Sequence, residues 1–125
     1  MVQGALFLIL LLASSGAAAQ RAQAGMRCAH SGTDFIYDCV IEVRRAGEPV
    51  PGLAITAGAD MPSMPMAHNI RPVKARPGSS PGEYLLRLDL DMAGEWAVKL
   101  RLSGPVRDVL VLHYRFTESG TSPRR

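Results

Sequence analysis

Two cysteines are the whole thiol inventory of this chain, and neither C-x-x-C nor C-x-x-C-H occurs, which removes the signatures of thiol exchange and of haem attachment. No G-x-S-x-G elbow and no H-E-x-x-H pair is present, so nucleophilic hydrolysis and zinc proteolysis lack their local motifs. No segment carries a convincing helical period. Basic residues are scattered as VRR, VKAR, KLRL and SPRR with no interleaved aromatics, which leaves nucleic-acid binding without support. Charge is missing altogether from the side chains of the first nineteen residues.

What is there begins with that uncharged start. An apolar block, Ala5 to Ala13, runs into small residues with an A-x-A pattern at Ala17 to Ala19, the layout of a secretory signal peptide over residues 1–19. A second A-x-A at Ala22 to Ala24 offers an alternative cleavage after Ala24. The competing reading is an anchor by an uncleaved N-terminal segment, but the apolar stretch is shorter than the ~20 residues a bilayer needs. The expectation is a periplasmic or otherwise extracytoplasmic protein with no stable membrane insertion after cleavage. All 14 Lys and Arg and all 11 Asp and Glu lie beyond the block, so the net charge of +3 stays with the remaining chain.

In an exported chain, Cys28 and Cys39 read first as a stapling disulfide. The residues also admit a sharper alternative, with Cys28 and His30 as metal ligands, which needs the thiols reduced. Further along, the pattern alternates with period two. In FIYDCVIEVR, Phe35, Tyr37, Cys39, Ile41 and Val43 face one way and Asp38, Glu42 and Arg44 the other; in LAITAGADM, Leu53, Ile55, Ala57, Ala59 and Met61 share a side. YLLRLDL, WAVKLRL and VLVLHYRF follow with hairpin-length connections. Several short strands with Pro and Gly turns predict an all-β fold, a single immunoglobulin-like antiparallel β-sandwich. Its expected extent is residues 35–116, after an N-terminal segment 20–34 and before a flexible tail 117–125. Trp96 belongs in its core, while Asp89 and Asp91 read as solvated strand decoration.

The long connection from Pro62 to Glu83 opens with MPSMPMAH, which packs three of six methionines and one of three histidines into eight positions. Pro62 and Pro65 forbid a helix there and predict an extended or polyproline course. Thioether sulfur is a soft, uncharged ligand that prefers Cu(I), and imidazole binds copper in either oxidation state. Met61, Met64, Met66 and His68 are therefore candidate copper ligands, with Met92 and His113 as possible contributors from elsewhere. The bland counterpart is methionine as gap-filler or adaptable contact surface. For His113, which alternation places on an outer face, a plain surface histidine is the simpler reading.

G-x-P-V-P-G before a strand, MPSMPMAHN after it, PGEYLLRLDLDMAGEWAVKLRLSGP and a closing apolar strand together resemble the YtkA-like domain, seen also in FixH-related proteins. The resemblance covers roughly residues 35–116. It implies an extracytoplasmic immunoglobulin-like sandwich, often associated with copper handling or with assembly of copper-containing oxidases, and not an enzyme. Carried over by residue, the family's Met and His motif falls on Met61, Met64, Met66 and His68. The expected function is thus an exported Cu(I) carrier, buffer or delivery factor. Its partner would be a copper-accepting or copper-donating protein, such as an oxidase-assembly or efflux component. The alternative is a metal-free interaction domain that contacts such a partner through the Met-Pro loop.

Overall fold

The computed structural model describes residues 21–123; the expected signal peptide lies outside the described residues. Ten strands follow one another: β1 (Ala22–His30), β2 (Ile36–Arg45), β3 (Glu48–Pro49), β4 (Ala54–Asp60), β5 (Asn69–Lys74), β6 (Arg76–Pro77), β7 (Glu83–Asp89), β8 (Gly94–Ser103), β9 (Asp108–Thr117) and β10 (Gly120–Pro123). They form two antiparallel sheets, β1-β2-β7-β6 with β3 added beside β2, and β10-β9-β8-β4-β5. The expected β-sandwich is therefore what the chain builds.

Alternation fixed which faces meet. Tyr37, Cys39, Ile41 and Val43 from β2, Ile55, Ala57 and Ala59 from β4, and Trp96, Val98, Leu100 and Leu102 from β8 are all buried between the sheets. Each of the three tyrosines also ties chain segments together with its hydroxyl, the usual use of a buried ring with a polar tip. Tyr37 donates to the Thr117 carbonyl (2.9 Å), Tyr84 donates to the Val50 carbonyl (2.6 Å), and Tyr114 accepts from the Met26 N–H (2.9 Å). Phe35 departs from the expected alternation. It sits at φ 64° and is 38% exposed, because a left-handed residue at the β1–β2 turn rotates its side chain out of the row that Tyr37 begins.

The sandwich takes in more chain at both ends than expected. Residues 22–30 form β1 with Ala22 and Met26 buried, and residues 120–123 pair with β9 as β10. A cut after Ala24 would remove the start of β1. The Pro62–Glu83 connection likewise contains two strands: β5 closes one sheet, and the chain then crosses to the other as β6. Pro49, Pro72, Pro77 and Pro123 all lie in strands at a sheet margin, where the missing N–H costs no ladder bond and blocks further pairing.

Cys28 and Cys39 are direct cross-strand neighbours and form the expected disulfide. With both sulfurs so engaged, the alternative in which Cys28 and His30 hold a metal falls away; His30 instead accepts the Gly32 N–H at Nδ1 (3.0 Å). The closed loop spans a sequence separation of 11 residues. Loop-closure entropy for a ring of that size predicts that reduction costs about 3 kcal/mol of stability, read from urea unfolding with and without reductant. An unchanged midpoint would contradict this.

Outside the core, Arg87 grips Asp38 (2.8 Å) and Arg21 grips Asp108 (2.9 Å). Hydrogen bonds from these guanidinium groups hold both carboxyls below the ordinary aspartate range. A depressed folded-state value contributes stability above the unfolded aspartate pKa and loses it as pH falls through the lower folded value. Arg87→Gln should therefore lower Tm slightly at neutral pH and leave it equal to wild type below the carboxylate range. The effect is small, since these pairs are exposed to solvent.

Candidate functional site

Antiparallel pairing brings the connections after β1, β4, β7 and β9 to one end of the sandwich. The methionine loop, residues 61–68, occupies that end between β4 and β5. Its course is not extended. Met64 N–H donates to the Met61 carbonyl (3.0 Å) and Ala67 N–H to the Met64 carbonyl (3.2 Å), so Pro62 and Pro65 each stand at the second position of a β-turn. Proline's fixed φ suits that position as well as it suits polyproline, and the local sequence could not choose between them.

His68 N–H also donates to the Met64 carbonyl (3.0 Å), and Met61 N–H to the His68 carbonyl (2.9 Å). The first of these closes a five-residue turn of helical type, which sets the Cα atoms of Met64 and His68 on one side, a single turn apart. The second closes the loop at its base. Asn69 braces the tip, its side-chain amide donating to the Pro65 carbonyl (3.0 Å).

The four methionines at this end divide by environment. Met61 is 5% exposed and continues the inward row of β4 into the core. Its Cε would lie 2.9 Å from a Cβ placed on Gly94, whose φ of 134° also disfavours a side chain. Met64 is 45% exposed and Met66, at the third position of the second turn, is 92% exposed. Met92, in the β7–β8 connection, is half-buried against the core, and its carbonyl accepts the Trp96 indole N–H (3.1 Å). Two thioethers are thus offered to solvent and two are packed.

His68 has a partner that local sequence reading missed. Its Nδ1 lies 2.8 Å from an Asp91 carboxylate oxygen, across 23 residues of sequence. Asp91 was expected to be solvated decoration like Asp89; Asp89 is exposed, but Asp91 is a contact of the histidine. Asp60, which precedes the loop at the end of β4, is engaged by Lys99 (2.9 Å). His113 stands on the outer face of its sheet as expected, opposite Ala97, which in turn lies opposite Asp60 two strands away. Nothing among the described residues links His113 to the loop.

Among the described residues no three His, Cys, Asp or Glu side chains gather into a metal-binding group. The soft donors that the methionine loop itself carries are the thioethers of Met61, Met64 and Met66 and the imidazole of His68. That donor set suits a soft, low-charge cation and offers little to a hard divalent one.

Compared with known proteins, the chain matches a family model described as YtkA-like over residues 29–101. No curated protein and no solved structure matches it.

Proposed function

Because this chain belongs to the YtkA-like family, we propose that it is an exported copper-binding protein, a Cu(I) carrier, buffer or delivery factor. It works without catalysis, in the periplasm or another extracytoplasmic space. The observation that carries this reading is the fold of the loop. Two successive proline turns leave the Met64 and Met66 side chains open to solvent, and the helical-type turn closed by the His68 N–H sets the Cα of His68 a single turn from that of Met64. The two thioethers need no deprotonation and none of the three donors is a thiol, so the site would serve where thiols are oxidised.

Transfer would run by ligand exchange. A half-open site of two or three soft ligands lets an incoming thioether, thiolate or imidazole bind before the first ligands leave. The partner is accordingly a protein that presents soft copper ligands, of the oxidase-assembly or efflux kind.

The test is an anaerobic Cu(I) titration of the disulfide-intact protein against a chromogenic competing chelator. One equivalent bound in competition supports the proposal, and an undisturbed chelator spectrum overturns it. Met61→Leu belongs in the same experiment. A buried thioether of packing value only predicts unchanged Cu(I) affinity, since leucine conserves the volume. A large loss would place Met61 among the ligands.

The exposure of Met66 and Phe35 favours one rival, a metal-free contact domain. That reading predicts no Cu(I) competition.

A further inference from the structure

The His68 ring has two nitrogens, and which of them can meet a metal depends on where its proton sits. A carboxylate only accepts hydrogen bonds, so the 2.8 Å contact to Asp91 requires the proton on Nδ1. In the neutral ring the lone pair is then left on Nε2.

Both sides of this contact are held by backbone that has little freedom. The Leu90 N–H donates to the Phe35 carbonyl (2.9 Å) and the Leu90 side chain is buried, while the carbonyl of Met92 accepts the indole of fully buried Trp96. Asp91 therefore stands between two anchored neighbours. His68 is fixed at its N–H by Met64 and at its carbonyl by Met61. The left-handed backbone of Phe35 finds a role here, since its carbonyl is one of the anchors of the Asp91 turn.

We propose that Asp91 is the positioning residue of this site: its carboxylate locks His68 in the Nδ1–H form and presents Nε2 as the ligating nitrogen. The proposal rests on the copper reading for the identity of the ligand, but its first half is a property of the metal-free protein. Asp91 stays outside the ligand set. Its negative charge strengthens the imidazole as a donor, the usual effect of an outer carboxylate on a ligating histidine.

Two measurements test it. The first is a two-bond proton–nitrogen correlation spectrum of the 15N-labelled, metal-free protein, at a pH where the ring is neutral. His68 should show a protonated Nδ1 and a bare Nε2, and Asp91→Ala should release the ring toward the Nε2–H form. Asp91→Asn, whose amide oxygen still accepts, should keep the Nδ1–H form. A wild-type ring protonated on Nε2, or a ring indifferent to Asp91→Ala, overturns the proposal whatever copper does.

The second measurement is the Cu(I) competition titration of Asp91→Ala with and without His68→Ala. Outer-shell partners of metal ligands typically contribute ten- to a hundredfold in affinity. A loss of roughly that size is expected with His68 present and none once His68 is alanine. An equal loss in both backgrounds would mean that Asp91 acts through loop stability and not through the ring, which sinks the proposal while leaving the copper reading intact. Absence of Cu(I) binding by the wild-type protein removes the copper reading itself, and with it the ligating role given to Nε2.

Discussion

Met64→Leu combined with Met66→Leu is expected to abolish Cu(I) competition while leaving the folded protein almost unchanged. Both side chains are exposed, and leucine nearly conserves their volume, so stability should move by no more than about 0.5 kcal/mol. What the exchange removes is sulfur. His68 alone cannot hold Cu(I) against a chelator, because a single imidazole leaves the ion without the soft donors it prefers. The check is the chelator titration run beside a urea unfolding curve. Retained affinity with an intact fold would show that the exposed methionines are not ligands, and the contact-domain reading would then account for them.

Trp96→Ala is expected to be the most damaging single change, costing about 3–5 kcal/mol. Trp96 is fully buried and is among the largest side chains enclosed by the two sheets. Alanine leaves a cavity that the neighbouring strands, fixed by their ladders, cannot close. The Met92 carbonyl also loses its donor, which loosens the turn that carries Asp91. Total stability of a domain this size is of order 5–15 kcal/mol, so the variant stands near its unfolding threshold. Trp96→Phe separates the two contributions, since it keeps most of the ring volume and loses the hydrogen bond, worth about 1 kcal/mol. Urea unfolding midpoints measure both, and a loss below about 1 kcal/mol for the alanine variant would contradict this account of the core.

The two predictions meet at one end of the molecule. Trp96 supports the β7–β8 connection from within the core, that connection holds Asp91, and Asp91 holds His68. The thioethers of Met64 and Met66 depend instead on the proline turns of their own loop. Core damage should therefore reach the imidazole before it reaches the sulfurs.

Fold class was legible in the sequence because burial imposes a period of two wherever a strand has one inward face. Leu53, Ile55, Ala57, Ala59 and Met61 are all buried as their spacing required. The strands that escaped notice carry weak signals for a physical reason. β5, NIRPVK, lies at a sheet edge and is largely exposed, so burial imposes no alternation on it. β10 includes a glycine, which weakens a strand signal, and a proline, which belongs in strands only at such margins. β1 does alternate, through Ala22, Ala24, Met26 and Cys28, but with residues too small or too neutral to stand out.

Of the candidate site, the sequence by itself determined the donor types and their crowding into eight positions, because composition is local. It also limited any disulfide to Cys28 with Cys39, since only two cysteines are available, while the pairing of β1 with β2 decided that they are bonded. Tertiary structure alone decided which donors are usable. Whether Met61 is packed and Met66 free depends on where β4 leaves the core, and whether prolines turn or extend the chain depends on the bonds that close the loop at Met61 and His68. The pairing of His68 with Asp91 depends on two loops that are neighbours because β4 and β8 pair side by side in one sheet, and no spacing rule within one segment can encode a contact across 23 residues.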